Sequence, residues 1–128
     1  MNIILFCGAL AGLFSVLFGA YAEHGLKEKL DEDNYHAIMV AINNNKTYAL
    51  LLSGIGLTLY ASVPDIVETR LYWCGLVLIA AVVLFCGSIY AAILLKMPGL
   101  MKLTPIGGIM MMAGWIMLAY TALVKFKQ

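Results

Sequence analysis

The sequence predicts an all-α membrane protein with four transmembrane helices in an up-down bundle and an interfacial helical segment between helices one and two. Four apolar runs without a charged residue support this fold, at residues 3–22, 47–64, 71–95 and 103–124. About 20 helical residues cross a hydrocarbon core of about 30 Å, and each run approaches or exceeds that length. Because a chain in lipid must satisfy its own backbone hydrogen bonds, we expect these runs to be helices.

The composition excludes most functions of soluble proteins. Hydrophobic residues make up 63% of the chain and charged residues 12%, against about 45–50% and about 25% in soluble domains. We therefore expect a single transmembrane domain over residues 1–128, with the lipid bilayer as its main partner. The net charge of +1 includes no clustered basic face, so nucleic acid is not expected as a partner.

Small residues line one face of helix one. Gly8, Gly12, Ser15 and Gly19 recur in steps of four, three and four residues, and such spacing lets helix backbones approach closely in lipid. Gly107 and Gly114 indicate a similar packing face on helix four. These faces pack either inside one chain or between subunits, and we expect a homo-oligomer of unknown number.

The connection at residues 23–46 is long enough to carry structure of its own. Acidic residues and a possible N-cap at residues 31–33 precede a segment with apolar residues at helical spacing. Residues 34–46 form either a separate interfacial helix or the first half of one long helix two. The periodicity fits both alternatives.

Six polar or ionisable residues near the helix ends are candidate ligand-binding or functional positions. Glu23 and His24 follow helix one, and such a pair at a membrane surface can relay protons or bind a ligand. Asn44, Asn45 and Tyr48 lie where helix two enters the apolar layer. Thr104, before a proline, is predicted to cap helix four, whose free N–H groups attract an anion. Because helix one ends where helix four starts, we expect Glu23 to contact Thr104.

No motif in the sequence indicates catalysis. There is no nucleophile–base pair, phosphate-binding loop or zinc-ligand spacing, and the three cysteines, Cys7, Cys74 and Cys86, are dispersed within apolar runs. Isolated cysteines of this kind usually pack as small hydrophobic residues. The sequence therefore predicts neither an enzyme nor a cofactor or metal site.

Lysine and arginine are only slightly asymmetric across the predicted topology. The first and third connections hold Lys27, Lys29, Lys46, Lys96 and Lys102, whereas the other side holds Arg70, Lys125 and Lys127. Positive residues favour the cytoplasmic side of a membrane. This weak bias favours both termini outside the cytoplasm.

Several segments resemble one family, the small four-helix membrane proteins catalogued as domain of unknown function 423. The matching segments, in order, are Phe18-Gly19-Ala20, His24-Gly25-Leu26-Lys27, Cys86-Gly87-Ser88-Ile89-Tyr90, Thr104-Pro105-Ile106-Gly107-Gly108 and Gly114-Trp115. The stretch from Thr104 to Trp115 is the most specific part of the resemblance. Glu23 departs from the family, which commonly has glycine there, and Asn44-Asn45 and Thr47-Tyr48 stand where Tyr-Gln and Tyr-His are frequent.

The resemblance implies a multi-pass protein of the bacterial inner membrane, without an established activity. Together with the lack of catalytic groups, it favours a structural or accessory component, which organises lipid or a larger complex and has another membrane protein as a possible partner. The alternative is a small oligomeric transporter or channel for an ion or small solute. That alternative requires a polar path, for which Glu23, His24, Asn44 and Asn45 are the best candidates.

Overall fold

The computed structural model describes residues 1–124, which are helical and contain no strand. Its four main helices are α1 (Ile3–Tyr21), α2 (Glu32–Thr58), α3 (Asp65–Leu94) and α4 (Thr104–Thr121). A π-helical turn, Ala22–Leu26, prolongs α1, and a 3-10 helix, Pro98–Leu103, precedes α4. The predicted all-α class with four main helices is confirmed. Lys125 and Lys127, counted in the charge bias, lie outside the described residues.

Three helical segments are long and apolar enough to cross a membrane: Ile3–Leu26, Asp65–Leu94 and Pro98–Thr121. They correspond to the first, third and fourth predicted spans. α2 is not among them, because its 27 residues include an acidic first turn and the polar run from Asn43 to Lys46. The second predicted span therefore stays a prediction.

α2 is one continuous helix, so residues 34–46 extend helix two and do not form a separate helix before it. Its start follows from local chemistry, since the Asp31 side chain accepts a 2.8 Å hydrogen bond from the backbone N–H of Asn34. This is the N-cap that the acidic segment predicts. Glu32 and Asp33 lie in the first turn, where negative charge stabilises a helix N-terminus.

The four helices pack as two antiparallel hairpins, α1–α2 and α3–α4, with α2 against α3 in the centre. α1 and α4 lie on the outside. Among the described residues, no Cα atom of α1 or of its π-helical turn lies within 8 Å of a Cα atom of α4. The ends of the first and last helices are therefore separated by the central pair.

Glycine permits the closest helix approach in each hairpin. A Cβ atom added to Gly56 of α2 would lie 2.6 Å from the backbone nitrogen of Leu5 in α1. One added to Gly107 of α4 would lie 2.5 Å from the backbone nitrogen of Phe85 in α3. Because these obstacles are backbone atoms, any larger residue would have to push the helices apart.

Candidate functional site

The small-residue faces predicted for helices one and four lie inside the chain. A Cβ atom on Gly8 would lie 2.8 Å from the backbone nitrogen of Ser53, and one on Gly12 or Gly19 would reach ordinary contact distance from α2. Ser15, on the same face, is buried. On α4, Gly107 meets Phe85, and a Cβ on Gly114 would overlap the Leu78 side chain of α3. These faces were expected to pack either inside one chain or between subunits, and in the structure they pack inside one chain.

Two of the predicted site residues on α2 form hydrogen bonds to other helices. The buried Asn45 amide donates to the backbone carbonyl of Ala11 in α1, at 2.9 Å. The buried Tyr48 hydroxyl accepts a 2.7 Å hydrogen bond from the indole N–H of Trp115 in α4. Asn44 differs, because its amide donates to the Val40 carbonyl of its own helix. Asn45 and Tyr48 therefore join helices, whereas Asn44 does not.

Thr104 has a partner that its motif did not predict. Its hydroxyl is hydrogen-bonded to the buried Ser88 hydroxyl of α3. Thr104 is the first residue of α4 itself, with Leu103 at the cap position and no side-chain cap. The predicted N-cap role of Thr104 is therefore wrong, because the preceding 3-10 helix runs directly into α4.

The predicted contact between Glu23 and Thr104 is also wrong. Glu23 lies in the π-helical turn after α1, whose Cα atoms all lie more than 8 Å from those of α4. The two helices share an end of the bundle but occupy opposite flanks. Glu23 and His24 are both exposed.

Glu23 instead lines a groove of about 320 Å³ between α1 and α2. Ser15 of α1 and Asn43 and Lys46 of α2 supply its other polar side chains. Small and apolar residues of both helices form the walls: Val16, Gly19, Ala20, Met39 and Ile42. The groove thus combines one carboxylate, one amide, one ammonium group and one hydroxyl on a mainly apolar surface.

The groove is the feature that sequence reasoning did not single out. Residues 39, 42, 43 and 46 follow the spacing of a single helix face, which is visible in the sequence. The sequence does not show which neighbouring helix that face contacts. The Trp115–Tyr48 and Ser88–Thr104 pairs were missed for the same reason, since each joins two helices whose contacting faces the sequence does not specify.

Buried thiols provide further polar contacts between helices. The Cys74 thiol donates to the Gly114 carbonyl at 3.3 Å, and the Cys86 thiol donates to the Ala41 carbonyl at 3.2 Å. Within the described residues, no group of three or more histidine, cysteine or acidic side chains could hold a metal ion.

Comparison with known proteins agrees with this fold. The family model described as "Protein of unknown function (DUF423)" matches residues 18–108. A UPF0382 membrane protein of Staphylococcus haemolyticus is 35% identical over 92% of this chain and 93% of its own length. Another, from Staphylococcus epidermidis, is 31% identical over 96% of this chain and 97% of its own.

No solved structure matches the chain, so its assignment rests on the family model and these relatives. The family match covers most of the chain, and the relatives cover nearly all of it. Their printed names agree with a helical fold that has three segments apolar enough to span a bilayer. The chain belongs to the DUF423 family and is a bacterial membrane protein of unknown biochemical function.

Proposed function

We propose that this protein is a structural or accessory component of the bacterial inner membrane and not an enzyme. One observation carries the proposal: three of the buried polar side chains, Asn45, Tyr48 and Ser88, bind helices to each other. Asn45 binds α1, and Tyr48 binds α4. Ser88 in turn binds Thr104. Polar groups used in this way stabilise helix association in lipid and leave few groups for chemistry.

The potential nucleophiles support the same proposal. A catalytic thiol requires a neighbouring base or cation that generates the thiolate. The hydrogen-bond partners of Cys74 and Cys86 are backbone carbonyls, which accept a hydrogen bond but are too weakly basic to remove the thiol proton. The two histidines, His24 and His36, are exposed on the segment between α1 and the middle of α2.

The proposed topology has four spans, with α2 crossing the bilayer beside α1. Gly12 meets Ala49 and Gly19 meets Ile42, so α2 accompanies α1 over most of its length. Residues 32–38 of α2 then extend past the end of α1 and form the interfacial segment. Because helical bundles, unlike closed barrels, are typical of the cytoplasmic membrane, we assign the protein to the inner membrane of bacteria.

Reporter fusions test this topology. Fusions after Leu30 and Met101 should report one side of the membrane, and a fusion after Glu68 should report the other. The charge bias further predicts that Leu30 and Met101 are cytoplasmic. Leu30 and Glu68 on the same side would mean that α2 does not span, and the four-span proposal would be wrong.

Reconstitution separates the accessory role from transport. Purified protein in liposomes should give no ion or solute flux above protein-free liposomes, while a membrane protein or lipid should remain bound through mild purification. Reproducible flux that a Glu23→Gln or Asn45→Ala substitution abolishes would favour a transporter or channel and overturn the accessory role.

Self-association is proposed as well, although the glycine faces that suggested it are used within the chain. The outward faces of α1 and α4 remain exposed and apolar, and they are available to a second copy. Native mass spectrometry from several mild detergents and lipid discs should give subunit multiples. Monomer alone under all these conditions would contradict the proposal.

A further inference from the structure

The groove between α1 and α2 carries its charged groups in an order that suits one class of membrane molecule. We infer that it binds the headgroup of an aminophospholipid, with the phosphate at Lys46 and Asn43 and the primary amine at Glu23. The inference rests on the proposed four-span topology, because it requires α2 to lie in the bilayer beside α1.

The depth of Lys46 follows from the packing register. Gly12 lies opposite Ala49 and Gly19 lies opposite Ile42, so Lys46 is level with Ser15 of α1. Glu23 is eight residues further along the chain, in the π-helical turn that prolongs α1, which corresponds to about 12 Å of helix. Because α1 is apolar from Ile3 to Ala22, the backbone of Lys46 lies within the hydrocarbon layer and Glu23 lies at its edge.

The direction of the lysine side chain completes this arrangement. Side chains on a helix lean towards its N-terminus, and the N-terminus of α2 is at the Glu23 end. The Lys46 ammonium group therefore extends towards Asn43, one turn away, and towards the headgroup layer. Among residues 1–124, no carboxylate oxygen lies within 4.0 Å of it. An ammonium group in this setting is stabilised by an anion from the lipid.

The order of groups along the groove matches a phospholipid with an amine. From the membrane surface inwards come the Glu23 carboxylate, the Asn43 amide, the Lys46 ammonium group and an apolar wall that includes Val16. An aminophospholipid presents an amine, a phosphate and acyl chains in the same order. The volume of about 320 Å³ accommodates a headgroup, while Val16, 67% exposed, faces the acyl region.

Glu23 distinguishes the headgroups. A primary ammonium donates hydrogen bonds to a carboxylate, which a quaternary choline group cannot do. A phosphatidylglycerol headgroup has a neutral glycerol in place of the ammonium group, so nothing offsets the negative charges of its phosphate and of the Glu23 carboxylate. The site should therefore prefer phosphatidylethanolamine to phosphatidylcholine and to phosphatidylglycerol.

Native mass spectrometry of the full-length protein with equimolar phosphatidylethanolamine and phosphatidylcholine of identical acyl chains tests this preference. The unsubstituted protein should retain the ethanolamine lipid about tenfold better, a difference of about 1.4 kcal/mol. Glu23→Gln should bring the ratio close to one, and Lys46→Gln should reduce retention of both lipids about tenfold. Lys46→Arg should retain binding, and Lys29→Gln, an exposed lysine outside the groove, should match the unsubstituted protein.

Unchanged lipid retention by Lys46→Gln, or an unchanged ratio in Glu23→Gln, would overturn the inference. If Lys46→Gln does not fold, the Glu23→Gln ratio and a photoreactive amino acid in place of Val16 decide the question. Crosslinks from that position to protein, without lipid, would assign the groove to a protein partner and also overturn it. The fusions after Leu30 and Glu68 test the four-span topology independently, so opposite-side reporters with no headgroup preference would refute the lipid site alone.

Discussion

In both hairpins of this protein a glycine allows close helix packing, but the hairpins differ in the polar groups that form hydrogen bonds between their helices. Gly56 in the first and Gly107 in the second bring a helix backbone against its neighbour. In the first hairpin, two amides bridge the helices: Asn45 donates to α1, and Asn2 donates to the Gly56 carbonyl at 2.7 Å. In the second, thiol and hydroxyl groups do so.

The difference separates a general packing role from a specialised one. The ionisable side chains of the second hairpin, such as Arg70, Lys96 and Lys102, lie near the ends of its helices. The first hairpin instead carries Lys46 in the interior of α2, next to the asparagine run. Packing accounts for Asn45, which binds α1, but packing does not require Lys46. Ligand chemistry is therefore expected in the first hairpin.

The largest expected effect tests whether the two contact surfaces are equivalent. Gly56→Ala and Gly107→Ala should each lower the free energy of unfolding by about 1–3 kcal/mol, because the added methyl group meets backbone atoms. Gly54→Ala and Gly87→Ala are matched controls, since a Cβ there meets no atom within 4 Å. Unfolding of purified protein in mixed micelles measures all four. Loss of stability in one hairpin alone would show that the surfaces are not equivalent.

A smaller effect isolates the amide bridge of the first hairpin. Asn45→Ala should lower the free energy of unfolding by about 1 kcal/mol, since it removes a hydrogen bond between helices in lipid. Asn44→Ala, one residue away, removes only a bond within α2 and should change stability much less. Equal losses in the same unfolding assay would mean that the contact with Ala11 contributes nothing specific.

The smallest effect concerns the link between the hairpins. The Tyr48 and Trp115 rings are 6.0 Å apart and share a hydrogen bond. A double-mutant cycle of Tyr48→Phe and Trp115→Phe should give a coupling energy of about 0.6 kcal/mol. A control cycle that combines Tyr60→Phe with Trp115→Phe should give a coupling energy near zero, because Tyr60 is 70% exposed. Coupling of the same size in both cycles would contradict a specific link.

Much of the fold could be predicted because lipid constrains a chain so strongly. The apolar runs identified α1, α3 and α4, and the acidic segment located the start of α2 at Asp31. The small-residue faces are visible as spacings in the sequence. Whether they meet a helix of the same chain could not be predicted, since a spacing carries no information about the partner.

The candidate site was less predictable for a geometric reason. Glu23 and Thr104 were expected to meet because their helices share one end of the bundle. Helices at the same end can occupy opposite flanks, however, and α2 and α3 lie between these two. The groove that Glu23 does line depends on one face of α2. The sequence of the N-terminal part of α2 fitted both a separate interfacial helix and an extension of helix two.

The composition of α2 has a consequence for the biosynthesis of the protein. On its own, α2 is not apolar enough to be recognised as a membrane span, yet its Asn45 amide finds a carbonyl on α1. In the four-span topology, α1 leaves the ribosome first and is in the bilayer before α2 emerges. We expect α2 to enter as the second member of a pair, so that loss of α1 would leave two helices outside the membrane rather than one.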